Sequence, residues 1–206
     1  MERIYRPETS FVSLDFFQAG WAFQSMWNPN KYMNVWMAKT SDYTSRGTMP
    51  YVPNDYPLAG LIATDYYKDN PPNYVEGILF LTPGGSYAGT SLTHETGHFL
   101  GLIHPYEDAC GGTDYCNDTY QYDKKSGTNF DANGYTTDCN GTKFIEKNFM
   151  GWTLSTITEF VFSQNQVSRL EHSLKYAYHR PGSSTISARM LNNNSFEKIP
   201  PFMSYE

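Results

Sequence analysis

The sequence predicts an α+β fold, and three observations carry that expectation. Residues 75–82 (V-E-G-I-L-F-L-T) and 31–39 (K-Y-M-N-V-W-M-A-K) are short and rich in β-forming residues, the pattern of strands. Two other stretches keep a helical period: one around residues 93–99, with like side chains four apart, and a longer one after Ser163. Between them lie residues 105–148, dense in Asp, Asn, Gly and Thr and without periodicity.

Taken in order, residues 12–26 have helix-compatible apolar spacing, weakened by Gly20. Asn28-Pro29-Asn30 makes a turn, and 31–39 reads as a buried strand. Residues 40–57 are loop-like, with Gly47, Pro50, Pro53 and Pro57. Within them 46–52 fits a short edge strand, where Pro50 is tolerated because an edge leaves one side unpaired. Residues 69–73 break the chain again before the strand at 75–82, the clearest in the sequence. Pro83-Gly84-Gly85 turns the chain into a helix starting near Thr90 or Ser91, either of which can cap it. A loop as long as 105–148 needs a disulfide or an ion to hold it. Ser163 to Gln166 forms a capping box, with Phe162 and Val167 placed for a hydrophobic staple. Val167, Leu170, Leu174 and Tyr178 then share one face of an amphipathic helix, which Pro181-Gly182 stops. Residues 183–206 show no period.

At 206 residues the chain suits one domain, residues 1–206, in two lobes. Apolar residues make up 39% and aromatics 17%, including 17 Tyr and 13 Phe, a composition of folded, secreted-type proteins. The net charge of −6 without a Lys/Arg cluster makes nucleic acid and anionic membrane poor candidates as partners. No apolar run approaches the ~20 residues that span a bilayer. Met-Glu-Arg-Ile-Tyr-Arg at the N-terminus has no export signal, which taken literally implies a cytosolic protein. Cys110, Cys116 and Cys139, however, cluster in the irregular segment and suit a loop-stapling disulfide with one thiol left over. A cysteine metal site is the other reading, though no C-x-x-C spacing supports it. The expectation is therefore a secreted or cell-envelope protein, Met1 opening a fragment whose export signal has been removed.

The chemistry concentrates in T-H-E-T-G-H-F-L-G-L-I-H-P-Y-E-D, residues 93–108. His94 and His98, four apart on a helix, stack on one face and can grip one zinc ion at about 2.0–2.1 Å each. Glu95 turns roughly 100° away, where it can reach a metal-bound water rather than the metal. Gly101 ends the helix in a left-handed conformation, so that His104 can return as a third ligand. Three protein ligands leave a fourth position for water, the arrangement of a catalytic zinc site.

The H-E-x-x-H-x-x-G-x-x-H pattern, with the later Asn148-Phe149-Met150-Gly151-Trp152, resembles the metzincin zinc endopeptidases. Residues 28–36 (N-P-N-K-Y-M-N-V-W), the cysteine-bearing loop and the F-S-x-x-Q-x-x-R-L run at 162–170 narrow the resemblance to the pappalysin family, its bacterial secreted or lipoprotein members above all. It spans about residues 28–182. The resemblance implies a metzincin-like zincin: an upper mixed β-sheet with a backing helix and the active-site helix (about 1–104), and an irregular lower lobe with a C-terminal helix (105–206). It implies zinc on His94, His98 and His104, Glu95 as general base, Met150 as the Met-turn, and a Cys110–Cys139 disulfide with Cys116 free. Structural calcium on Asp114, Asp118 and Thr119 is a further implication, suited to a hard cation.

Trp152 stands where the family often has a tyrosine, the acids some members carry just after it are missing, and so is a cysteine of the family's second disulfide. The pocket for the side chain after the cut is therefore expected to be apolar, walled by Trp152, Leu154 and Ile157. The function expected is zinc-dependent hydrolysis of peptide bonds by a monomer acting on protein or peptide substrates laid along the sheet edge. A zinc amidase acting on cell-wall material, and a binding module on a retired protease scaffold, are the alternatives.

Overall fold

The strand expected at 75–82 forms as β3 (Ile78–Leu81), the centre of a three-stranded sheet of order β1-β3-β2. A computed structural model describes residues 13–18, 21–70, 72–81, 88–124, 130–152 and 159–181. β1 (Val35–Ala38) runs parallel to β3 and β2 (Arg46–Gly47) antiparallel, so the sheet is mixed. Because side chains alternate along a strand, Leu79 and its partners Trp36 and Arg46 point to one face, while Ile78 and Gly47 point to the other. The first face is covered by α1 (Ser13–Gln18) and α2 (Trp21–Gln24), where Phe16, Ala22, Met26, Val75 and Leu79 form the core. Phe16 meets Trp36 edge-on at 5.6 Å, and the Arg46 guanidinium donates to Ser13 Oγ. The second face is covered by α3 (Ala88–Phe99), which packs on β2 and β3.

Several expectations change here. Of the helix expected over 12–26, α1 and α2 are described, while Val12, Ala19 and Gly20 lie outside the described residues. The segment 31–39 is not a buried strand: only Val35–Ala38 pairs, at the sheet edge, and Met37 is 68% exposed. The strand begins late because the Asn34 side chain closes a turn onto the Trp27 backbone, accepting from its N–H at 2.8 Å and donating to its carbonyl at 3.0 Å. The edge strand at 46–52 contracts to Arg46–Gly47 plus an isolated bridge from Val52 to Ala63, so Pro50 lies outside the pairing. α3 starts at Ala88, which puts Thr90 and Ser91 inside the helix rather than at its cap. The turn expected at 83–85 lies outside the described residues, as does Thr82.

The irregular segment has internal order. A hairpin of β4 (Tyr135–Thr137) and β5 (Lys143–Ile145) is closed by Asp138, whose carboxylate accepts the N–H groups of Asn140 and Thr142. Cys110 and Cys139 form a disulfide that ties the short 3₁₀ turn Ala109–Gly111 to this hairpin, and Cys116 is a free, buried thiol.

α4 (Gln164–Tyr176) begins with the full capping box of Ser163 and Gln166. It ends before the expected Pro181-Gly182 stop, because Ala177 is extended and the Tyr178 N–H bonds the Tyr51 carbonyl at 3.0 Å instead. Its buried face is also not the apolar one. Gln166, Arg169 and Ser173 are buried while Leu174 is 46% exposed, since this helix packs against backbone carbonyls and a carboxamide rather than against an apolar sheet. Gly182 and residues 183–206 lie outside the described residues.

Candidate functional site

His94 and His98 project from one side of α3, and the helix then stops in a Schellman motif. Gly101 adopts φ +87°, its N–H reaches the His98 carbonyl at 2.8 Å, and the Leu102 N–H reaches the Gly97 carbonyl at 2.9 Å. Two buried arginines satisfy the exposed carbonyls of this helix end: Arg180 donates to Phe99 O at 2.7 and 2.9 Å, and Arg169 to Gly101 O at 3.0 Å. Arg180 is itself paired with Glu76 at 2.6 Å, both fully buried. The turn is thus clamped from the start of β3 and from α4, and it delivers His104 back toward the helix.

The three imidazoles converge through the same atom. Nε2 of His104 lies 3.1 Å from Nε2 of His94 and 2.9 Å from Nε2 of His98. Each Nδ1 faces an acceptor: the Phe149 carbonyl at 2.7 Å for His94, the Leu102 carbonyl at 2.8 Å for His98, and the Glu107 carboxylate at 3.0 Å for His104. These acceptors require Nδ1 to carry the proton, so three Nε2 lone pairs point at one another. Such an arrangement is repulsive without a cation between them. Ideal tetrahedral zinc would separate its nitrogen ligands by about 3.3 Å, a few tenths of an ångström from the distances here. Burial holds all three histidines below the usual imidazole range, His98 and His104 down to about 3, which keeps them neutral as metal ligation requires. The donor set fits a three-histidine zinc site, and among the described residues it is the one cluster of three or more His, Cys, Asp or Glu groups able to hold a metal ion.

Glu95 lies beside this cluster, 8% exposed, and accepts a hydrogen bond from the Gly47 N–H of β2. Burial pushes its carboxyl up to about 7, against the opposing pull of that bond and of Arg46. Gly47 is forced to be glycine, because a Cβ there would collide with the Glu95 carbonyl oxygen and lie 3.2 Å from His98 Cβ.

Met150 is fully buried directly against α3. A Cβ on Gly97 would run into its Sδ and come within 3.4 Å of its Cε. Asn148 sets the turn by accepting the Met150 N–H at 2.8 Å, and its carboxamide exchanges two bonds with the fully buried Gln166, at 2.7 and 3.0 Å. The capping box of α4 and the turn beneath the histidines are therefore one network.

The other expected site residues are distributed differently. Asp114 accepts from Cys116 N–H at 3.0 Å and from Thr119 Oγ1 at 2.8 Å. Asp118 instead accepts from Ser163 Oγ at 2.6 Å and from the Asn165 N–H at 2.9 Å, serving the start of α4. Asp114 and Thr119 thus bond each other, while Asp118 bonds the residues that open α4. Trp152 is 47% exposed, with its ring covered on one side by the Lys124 ammonium at 3.5 Å; Leu154 and Ile157 lie outside the described residues. Sequence reasoning missed Glu107, Gly47, Gln166 and the Phe149 carbonyl. Glu107 has a local signal, an acid three residues after the third histidine, and Gln166 reads in the sequence only as part of a helix cap; Gly47 and the Phe149 carbonyl are long-range partners with no such signal.

Comparison with known proteins agrees with the motif. The model of the family Peptidase_M43, described as Pregnancy-associated plasma protein-A, matches residues 19–175, a span that takes in the histidine cluster, Met150 and most of α4. An "Extracellular metalloprotease" of Colletotrichum graminicola is 46% identical over 55 residues, covering 22% of this chain and 20% of the relative. The aligned part is thus about a fifth of that curated relative's length. No solved structure matches the chain at a significant level.

Proposed function

Because this chain belongs to the peptidase family described as Pregnancy-associated plasma protein-A, we propose that it is a zinc-dependent endopeptidase that cuts peptide bonds in protein or peptide substrates. The observation that carries this reading is the convergence of the three Nε2 atoms with every Nδ1 engaged elsewhere, next to a buried carboxyl. His94, His98 and His104 would hold the ion, which when bound supplies a Lewis acid that brings the pKa of a water toward ~7. Glu95 acts as the general base. Its carboxyl takes the proton from the water that attacks the peptide carbonyl, then hands it to the departing amine. Burial raises this carboxyl above its ordinary range, which favours its taking up the proton. The Gly47 N–H holds that carboxyl in place. Among the described residues β2 pairs with β3 on one side only, which leaves an edge along which an extended substrate can add as a further strand, within reach of Glu95.

The extracellular description of the fungal relative and the disulfide support an exported protein, and no described helix is long and apolar enough to cross a membrane. Calcium in the 105–148 segment has the support of donor chemistry alone, since Asp114 and Asp118 already serve internal hydrogen bonds. The peptidase reading is tested with Glu95→Gln, which keeps shape but cannot accept the proton. Turnover of a peptide library is expected to fall about 10²–10⁴-fold with zinc retained. Near-native turnover by the zinc-loaded variant would exclude Glu95 as base, and turnover of peptidoglycan fragments but of no peptide would favour an amidase.

A further inference from the structure

One cation beside the histidine cluster has no role in the hydrolysis described above. The Lys124 ammonium lies 3.5 Å from the centroid of the Trp152 ring and 4.8 Å from that of Tyr106. Tyr106 in turn stacks on His104, with centroids 4.5 Å apart and planes within 13°. Lys124 is therefore one aromatic ring away from the site. Among the described residues no carboxylate pairs with it. Of the acids close to Tyr106, Glu107 pairs with His104, Glu146 accepts from the Asn148 N–H, and Glu95 accepts from the Gly47 N–H. Burial alone holds its pKa below the usual lysine range, with no acid to offset it.

Two ring faces hold the ammonium by cation–π attraction and remove part of its water, but neither ring can accept a full hydrogen bond from it. A partly desolvated ammonium with donors to spare is best completed by an anion, and a charge-assisted bond to a carboxylate is the strongest partner a peptide offers. The same ammonium lies over Trp152, one of the residues expected to wall an apolar pocket.

We propose that Lys124, held by Trp152 and Tyr106, forms a carboxylate-accepting subsite beside the histidine cluster, so that the enzyme selects peptides bearing a carboxylate close to the bond it cuts. The inference rests on the peptidase reading and adds the substrate class to it. A carboxylate reaches this subsite either as an Asp or Glu side chain or as the free C-terminus of a short peptide.

The test is equilibrium binding, by fluorescence anisotropy, of labelled peptides to the zinc-loaded Glu95→Gln protein, with and without Lys124→Met or Lys124→Arg. One pair of peptides differs by Glu against Gln near the cleaved bond, the other by a free against an amidated C-terminus. Affinity is expected to favour the carboxylate in one pair by about tenfold or more, the scale of a hydrogen bond to a charged group. Lys124→Met should abolish that preference without weakening the neutral peptide, and Lys124→Arg should restore it. Equal affinity for both members of both pairs, or a preference that survives Lys124→Met, would overturn the subsite. Failure of the peptidase reading looks different: the zinc-loaded wild type would cut none of these peptides, while the binding comparison would still decide whether Lys124 accepts a carboxylate.

Discussion

Replacing Gly97 by alanine tests whether the turn at Met150 is packed against the site-bearing helix. Gly97 lies between His94 and His98, and its missing side chain is what lets the Met150 sulfur approach. In isolation the change should help, since alanine exceeds glycine in a helix interior by about 1 kcal/mol. Here the new Cβ would overlap Met150 Sδ and sit 3.4 Å from Leu102 Cδ1 and Met150 Cε. Met150 and Leu102 are fully buried and cannot swing into solvent. Overpacking of this kind costs about 1–3 kcal/mol, so the net effect is a loss of about 1 kcal/mol. Met150→Ala alone should cost about 2–5 kcal/mol as a large-to-small change in a closed core. With the sulfur gone, however, the methyl added by Gly97→Ala keeps only the ordinary contact with Leu102, and the helix preference of alanine should emerge as a gain of about 1 kcal/mol. The double-mutant cycle therefore carries a coupling of about 2 kcal/mol. Urea unfolding of the four proteins measures it, with zinc content recorded for each. Effects that add to within about 0.5 kcal/mol would refute direct packing of Met150 on Gly97.

Three further outcomes follow from the same geometry. Glu107→Gln weakens the acceptor behind His104, so zinc affinity measured against a chromophoric chelator should fall about 10-fold or more, and an unchanged affinity would remove Glu107 from the site. Arg180→Met strands Glu76 in the core and frees the Phe99 carbonyl; denaturant titration should show a loss of about 3–5 kcal/mol, whereas a loss below about 1 kcal/mol would contradict a clamped helix end. Glu146 is raised by burial from 4.5 to about 7, so between those values the folded protein keeps a proton that the unfolded chain has released. Stability should fall as pH rises through that window, by at most about 3 kcal/mol, and Glu146→Gln should flatten the fall. An identical pH dependence in the variant would show that Glu146 titrates normally.

Much of the site is legible in the chain because its grammar is short-range. The four-residue spacing of His94 and His98 places them on one helix face, and Gly101 reads as a helix end because its left-handed conformation belongs to glycine. The capping box at Ser163 and Gln166 and the strand at the centre of the sheet are local signals of the same kind. Periodicity misled where a helix buries polar groups. On α4 the apolar stripe suggested Leu174 as a core residue, yet Gln166, Arg169 and Ser173 are the buried ones. Likewise residues 31–39 have the composition of a buried strand, but burial depends on which strand stands at the edge and how far α3 reaches across the sheet.

Residue order alone thus specifies which side chains form the histidine cluster, where the helix carrying them ends, and which family the chain belongs to. What aims those side chains emerges with the fold: the Phe149 carbonyl on His94, the Gly47 N–H on Glu95, Gln166 on Asn148, and two arginines on the carbonyls that close α3. The reason is physical. Backbone dihedral preferences and side-chain spacing act over a few residues and leave a pattern in the chain. A carbonyl or N–H that meets its partner from far along the chain is the same group in every residue, and it becomes distinctive only when the fold brings it there.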